Sequence, residues 1–278
     1  MTWKAPSIKS MEISLIGQSA AGTLQGSATW MARALKVEES QIVLLLDAHR
    51  IDSRTIENQR LDISRRHDRL QSQINGLVQT AATFVGADWD SGLDACDHGD
   101  SGSDEDGTFI TVSPGNAEHA ILPLPSYIGL PRCGALELNG LVEEELQLRQ
   151  GQANDALHEI QLALADKAVL FCTEVRHGRN YAVTTRTWKK VSDLDTLVKR
   201  YSVIYNRCRK QMVALGADQS ILDRYQILNK KDLTVSTAVS DPNARGHRHD
   251  SLAWFWTMDI PKDTNKNDWM SECKLCNF

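Results

Sequence analysis

A chain of 278 residues, 41% hydrophobic and 24% charged, carries enough apolar content for a sizeable core in one or two domains. Its formal net charge of −5 argues against a nucleic-acid sponge along its whole length. No apolar run approaches the roughly 20 residues of a membrane span, and MTWKAPSIKS lacks the pattern of a secretory leader, so an intracellular protein without membrane insertion is expected.

Residues 1–21 read as an irregular N-terminus. From Gly22 onward Ala28, Met31, Leu35, Ile42, Leu45 and His49 follow helical spacing, with Glu38 as the polar interruption. Asp52-Ser53 supplies a capping start for a second helix. There Ile56, Ile63, Leu70, Leu77 and Phe84 recur every seven residues, and Ile74 and Ala81 widen the stripe. Two helices, at about 23–50 and 53–84, are predicted as an antiparallel hairpin covering 22–86. The 56–84 stripe is either a buried face of a bundle or a surface for self-association.

Residues 87–120 are rich in Asp, Gly and Ser. Asp88 to Asp106 holds eight acidic residues and no Lys or Arg, which reads as a disordered acidic linker. DHGDSGSDEDG fails as a calcium loop, because the glycine and the bidentate acid cannot both fall in register.

The remainder, 121–278, reads as a helical domain. ILPLPSYIGLP is extended or turning, since proline restricts its own backbone and its predecessor's. A long helix follows at about 135–177. Gly151 weakens it by roughly 1 kcal/mol without breaking it. Residues 179–188 read as a loop or short extended piece. Further helices are predicted at about 191–215, 219–230, 231–239 and 249–257.

No phosphate-binding, dinucleotide-binding, zinc-protease or nucleophile-elbow motif occurs, and nothing implies a cofactor. Cys273 and Cys276 form a lone C-x-x-C pair, and His247 with His249 a lone H-x-H. Zinc needs a fuller ligand set, so no metal site is expected. With no secretory signal, the six cysteines read as reduced thiols. Glu143, Glu144 and Glu145 read as a solvated helix face. Trp254 and Trp256 read as packing in a groove between longer helices.

The basic segment 176–210 is the candidate nucleic-acid face. It contains Arg176, Arg179, Arg186, Lys189, Lys190, Lys199, Arg200, Arg207, Arg209 and Lys210. Cations on one surface would neutralise phosphates and release counterions. The competing reading is the exposed face of an amphipathic helix.

Several blocks resemble fungal KDZ transposase-like proteins, those with an associated cysteine-cluster domain. They are ATWMARALKVEESQI (28–42), RRHDRLQSQI (65–74), LPSYIG (124–129) and GQANDALHEIQLALADKAVLFC (151–172). Arg176, Thr185-Arg186, Trp188, Ile204-Tyr205-Asn206-Arg207 and Leu215-Gly216-Ala217-Asp218 also fit. So do DPNARGHRHDSLAWFWTMDI (241–260) and Asn267-Asp268-Trp269-Met270. The resemblance spans about 25–272. It implies the family's C-terminal helical region, with the cysteine cluster and the RNase H-like carboxylates upstream of the matched part. No catalytic residue carries over, and a nuclear location follows if the resemblance holds. Relatives continue as a helix after Trp269-Met270, where this chain runs Glu272 to Phe278.

The expectation is therefore an all-α protein, an elongated bundle of long antiparallel helices interrupted by an acidic linker. Its expected role is that of a non-catalytic accessory module in transposition, supporting DNA binding or protein contacts. The alternative is a coiled-coil interaction module with no DNA role.

Overall fold

The computed structural model describes residues 5–18, 24–50, 57–87, 89–90, 117–175, 181–234 and 253–258. Eight α-helices occur among them: α1 Ile8–Gln18, α2 Ser27–Ala48, α3 Glu57–Val85, α4 Pro125–Ile128, α5 Leu130–Ala135, α6 Asn139–Leu170, α7 Tyr181–Ala214 and α8 Gln219–Arg224. A π-helical turn, Phe171–Val175, extends α6, and 3-10 turns lie at Ala117–His119, Lys230–Leu233 and Trp254–Trp256. No strand occurs among the described residues, so the class is all-α.

The α2–α3 pair forms because each helix carries a continuous apolar stripe. Met31, Ala34 and Leu35 of α2 are fully buried, as are Leu77 and Ala81 of α3. Trp30 stacks on Phe84 with ring centroids 5.0 Å apart and donates from Nε1 to Thr80 Oγ1 at 3.1 Å. At the other end Arg66 pairs with Asp47 at 2.8 Å. The two helices therefore run in opposite directions. The same test applies to α6 and α7: Lys167 meets Asp195, while Cys208 donates to the Arg149 carbonyl at 2.9 Å. From Leu70 to Val85 the α3 stripe is spent inside the chain, and Ile56 lies outside the described residues.

Two apolar cores result. One joins α1, α2 and α3 to Ala117, Leu122, Leu124, Ile128, Cys133, Leu141 and Leu148. The other joins Ile42 and the later turns of α6 to α7, Tyr225, Leu228 and Phe255. The expected division into a hairpin at 22–86 and a separate domain from 121 cuts through the first core. Hydrophobic burial ignores sequence separation, and the α2–α3 pair needs Leu122 and Leu124 to cover it.

Four further expectations are corrected. Residues Ile8–Gln18 form a helix, although 1–21 read as irregular. A helix of this length is marginal alone. Its first turn is held from α6, where Asp155 Oδ2 accepts the Ile8 N–H at 3.0 Å and Asn154 Nδ2 donates to the Pro6 carbonyl at 2.9 Å. Second, the ends of the expected linker are pinned: Trp89 and Ala117 are buried, and Gln41 Nε2 donates to the carbonyls of Ala117 and Ala120, both at 2.8 Å. The rest of that segment lies outside the described residues.

Third, α7 begins at Tyr181, within the segment read as loop. The β-branched run Val183-Thr184-Thr185 lowers local helix propensity. Tertiary contacts override it: Thr187 Oγ1 donates to Glu174 Oε2 at 2.8 Å, and Trp188 meets Phe171 edge-on at 6.1 Å. Fourth, α8 stops at Arg224: the Tyr225 backbone leaves the helical region at φ −97° and ψ 76°, and its carbonyl accepts from Arg209 Nε at 2.8 Å.

Between α4 and α5, Gly129 adopts φ +88° and ψ 145°, a backbone region open to glycine and closed to other residues. This sharp turn swings Ser126 and Tyr127 against α6 and α2. Trp254 and Trp256 pack on the second core, with Trp254 6.0 Å from Tyr205. The cap Asp52-Ser53 and residue Trp269 lie outside the described residues.

Candidate functional site

A recess lies where α2, α3 and α7 meet. Helical spacing builds its walls. Lys36, Glu39, Ser40, Val43 and Leu44 lie three or four apart on one side of α2, as do Arg66, Arg69, Leu70 and Gln73 on α3. Arg200, Tyr201 and Ile204 complete the lining from α7, around about 450 Å³ of open volume. The interior is apolar at Leu44, Leu70 and Ile204, all buried.

Four cations face one carboxylate in this lining. Arg66 is engaged by Asp47 at 2.8 Å and by Asp62 at 4.0 Å. Lys36, Arg69 and Arg200 form no ion pair among the described residues. The one carboxylate opposing them in the lining is Glu39. Burial raises its carboxyl above the ordinary range, and the neighbouring Glu38 and Asp155 charges push the same way. Opposing this rise are Gln152, whose Nε2 donates to Glu39 Oε1 at 2.9 Å, and the Arg149 charge. The Tyr201 hydroxyl is likewise raised, by burial and then by Glu159, so it stays a protonated donor at neutral pH.

One residue back along α2, Glu38 enters a different arrangement. Arg149 of α6 is fully buried and uses all its donors. Its Nε reaches Glu145 Oε1 at 3.1 Å, Nη1 reaches Glu38 Oε2 and Gln152 Oε1, and Nη2 reaches Glu38 Oε1 and Ser126 Oγ. Glu145 also accepts from the Ser126 N–H at 2.9 Å and hydroxyl at 2.6 Å. Tyr127 donates to Glu38 Oε1 at 2.7 Å. Burial alone would favour a neutral guanidine, but the Glu38 and Glu145 carboxylates hold Arg149 charged. This is a satisfied clamp joining α2, α4 and α6, with no donor left for a ligand. It corrects the reading of Glu143 to Glu145 as a solvated face: Glu145 is 0% exposed and Glu144 is buried, accepting from Ser27 Oγ at 2.7 Å.

The basic segment does not form one face. Arg176 and Arg179 lie outside the described residues. At about 100° per residue, Arg186, Lys189, Arg200 and Arg207 fall within about 60° around α7. Lys199 and Lys210 lie roughly 70° further round, and Arg209 beyond them. Arg186, Lys189, Lys199 and Lys210 are exposed. Lys190 is held by Glu174 at 2.8 Å, Arg207 reaches the Tyr127 hydroxyl at 3.4 Å, and Arg209 holds the Tyr225 carbonyl. Of the predicted residues only Arg200 lines the groove. The residues that sequence reasoning missed are Lys36, Arg66 and Arg69. Arg66 and Arg69 stand in the run Arg65-Arg66-His67-Asp68-Arg69 and Lys36 in the block 28–42, both noted above for their family resemblance and not for their charge.

His247, His249, Cys273 and Cys276 lie outside the described residues. Among the described residues no group of three or more His, Cys, Asp or Glu could hold a metal ion. No described helix is long and apolar enough to cross a membrane. No protein-family model, curated protein or solved structure matches the chain.

Proposed function

We propose that the chain is a helical accessory module of a transposase-derived protein that grips nucleic-acid backbone through the α2–α3–α7 groove. The observation that carries this reading is the convergence of Lys36, Arg66, Arg69 and Arg200 from three helices, in a chain whose net charge is −5. An acidic protein that gathers cations in one recess offers a local anion site. The sequence resemblance supports the transposase context. Arg186 and Lys189, exposed on the same side of α7 as Arg200, would extend the contact along a strand.

Binding to random-sequence DNA should weaken steeply with salt. Three or four neutralised phosphates correspond to a slope of about −2.7 to −3.6 in log K against log salt for duplex DNA. The double variant Arg69→Glu, Arg200→Glu should lose most of the affinity. Lys190→Glu should matter less, since Lys190 is already engaged by Glu174. A folded double variant that binds as the parent does would overturn the groove assignment.

A further inference from the structure

We infer that the groove takes an unstacked nucleotide of a single-stranded nucleic acid, phosphate against the cations and base against Tyr201. This rests on the reading of the groove as a nucleic-acid site and narrows its partner. A surface built for duplex presents cations on a ridge or helix that follows the backbone or enters a groove of the DNA. Here the cations border a recess of about 450 Å³ that three helices wall in. That volume lies in the range of clefts that hold small organic ligands. A paired base inside a duplex cannot enter such a recess, whereas a base on a flexible single strand can.

The lining has the mixed chemistry a nucleotide requires. Arg69 and Lys36 are exposed and Arg200 is half-buried, so phosphate reaches them without being stripped of all its water. Leu44 and Ile204 are apolar and buried, and half-exposed Tyr201 adds an aromatic ring. Aromatic rings beside cations are how single strands are held without sequence preference, because every base has a face to stack. The Glu39 carboxyl disfavours phosphate at its own wall and offers an acceptor to a base. A simple inorganic anion would need neither the aromatic ring nor the apolar interior.

The test uses the full chain and one short labelled oligonucleotide, presented as a single strand and as its duplex. The single strand should bind at least about tenfold more tightly. Tyr201→Ala should weaken single-strand binding by about fivefold or more, the loss expected for one stacked base, and leave duplex binding unchanged. Tyr201→Phe should bind as the parent does. Because Tyr201 is partly packed, a second variant guards the result: Ser40→Trp, at an exposed position on the groove wall, should block the single strand without disturbing the cores. Equal affinity for both forms, or indifference to both Tyr201→Ala and Ser40→Trp, would overturn the inference while Arg69- and Arg200-dependent binding still upheld the backbone reading. Binding of neither form at low salt would overturn both.

Discussion

Arg149 shows how little a side chain's type says about its place. It sits in the run Leu146-Gln147-Leu148-Arg149, where a cation normally faces water, yet it is 0% exposed. Removing one partner from such a buried ion cluster leaves uncompensated charge. Arg149→Met should therefore cost about 3–5 kcal/mol in urea unfolding. Adding Glu38→Gln and Glu145→Gln to that variant should recover part of the loss, since the orphaned carboxylates are then gone. Glu39 makes an opposite case. Its carboxyl, raised in the folded state chiefly by burial, binds a proton more tightly than in the unfolded chain. The associated stability is present below the ordinary carboxylate range and is lost as pH rises through the raised value. Glu39→Gln should flatten that part of the stability–pH curve and be at least as stable as the parent at neutral pH. Thermal melts from pH 4 to 8 would show it, and a steeper decline in the variant would contradict it. The thiols divide by burial in the same way. Cys133 is pushed up to about 11 by burial and Cys208 is raised further, while Cys172 is half-buried. Brief alkylation of native protein, read by peptide mass, should modify Cys172 and spare Cys133 and Cys208 until denaturant is added.

Among the elements, α1 depends most on distant sequence. Its dock on α6 is a close backbone approach at Gly151, where an added Cβ would lie 2.7 Å from Ile8 Cα. Gly151 thus reads two ways. Locally it is a weak helix residue; in the fold it is the contact that admits α1. Gly151→Ala improves α6 by propensity, about 1 kcal/mol, but must displace α1. The expected net result is destabilisation of about 1–3 kcal/mol, with faster amide exchange in residues 8–18. Unchanged exchange there would show that α1 docks by other means. The start of α7 carries a related lesson. Val183-Thr184-Thr185 argues locally for extended chain, while Glu174 and Phe171, arriving from beyond the end of α6, hold the helix just after it at Thr187 and Trp188.

At the scale of the whole molecule, charge is the organising variable. Acidic residues concentrate in 88–106 and cations in 174–211, and that asymmetry was visible in the sequence. It drew attention to the cations on and just before one helix, α7, and to none on α2 or α3. Packing divides the cations of α7 among Glu174, Tyr127, the Tyr225 carbonyl, open solvent and the groove, so only Arg200 joins Lys36, Arg66 and Arg69. A helical wheel of α7 cannot reveal this, because the other three cations arrive on α2 and α3.

What the sequence determined by itself is the all-α class and the approximate positions of α2, α3, α6 and the later part of α7. Those follow from apolar residues recurring at three and four, a local signal that needs no partner. What only the tertiary structure decided is everything joined across long separations. Ile8 meets Asp155 across 147 residues, and Arg149 meets Glu38 across 111. The buried clamp, the docking of α1 and the cation-lined groove all belong to this class. Each is set by which helices the cores bring together, and hydrophobic burial makes that choice without regard to order along the chain.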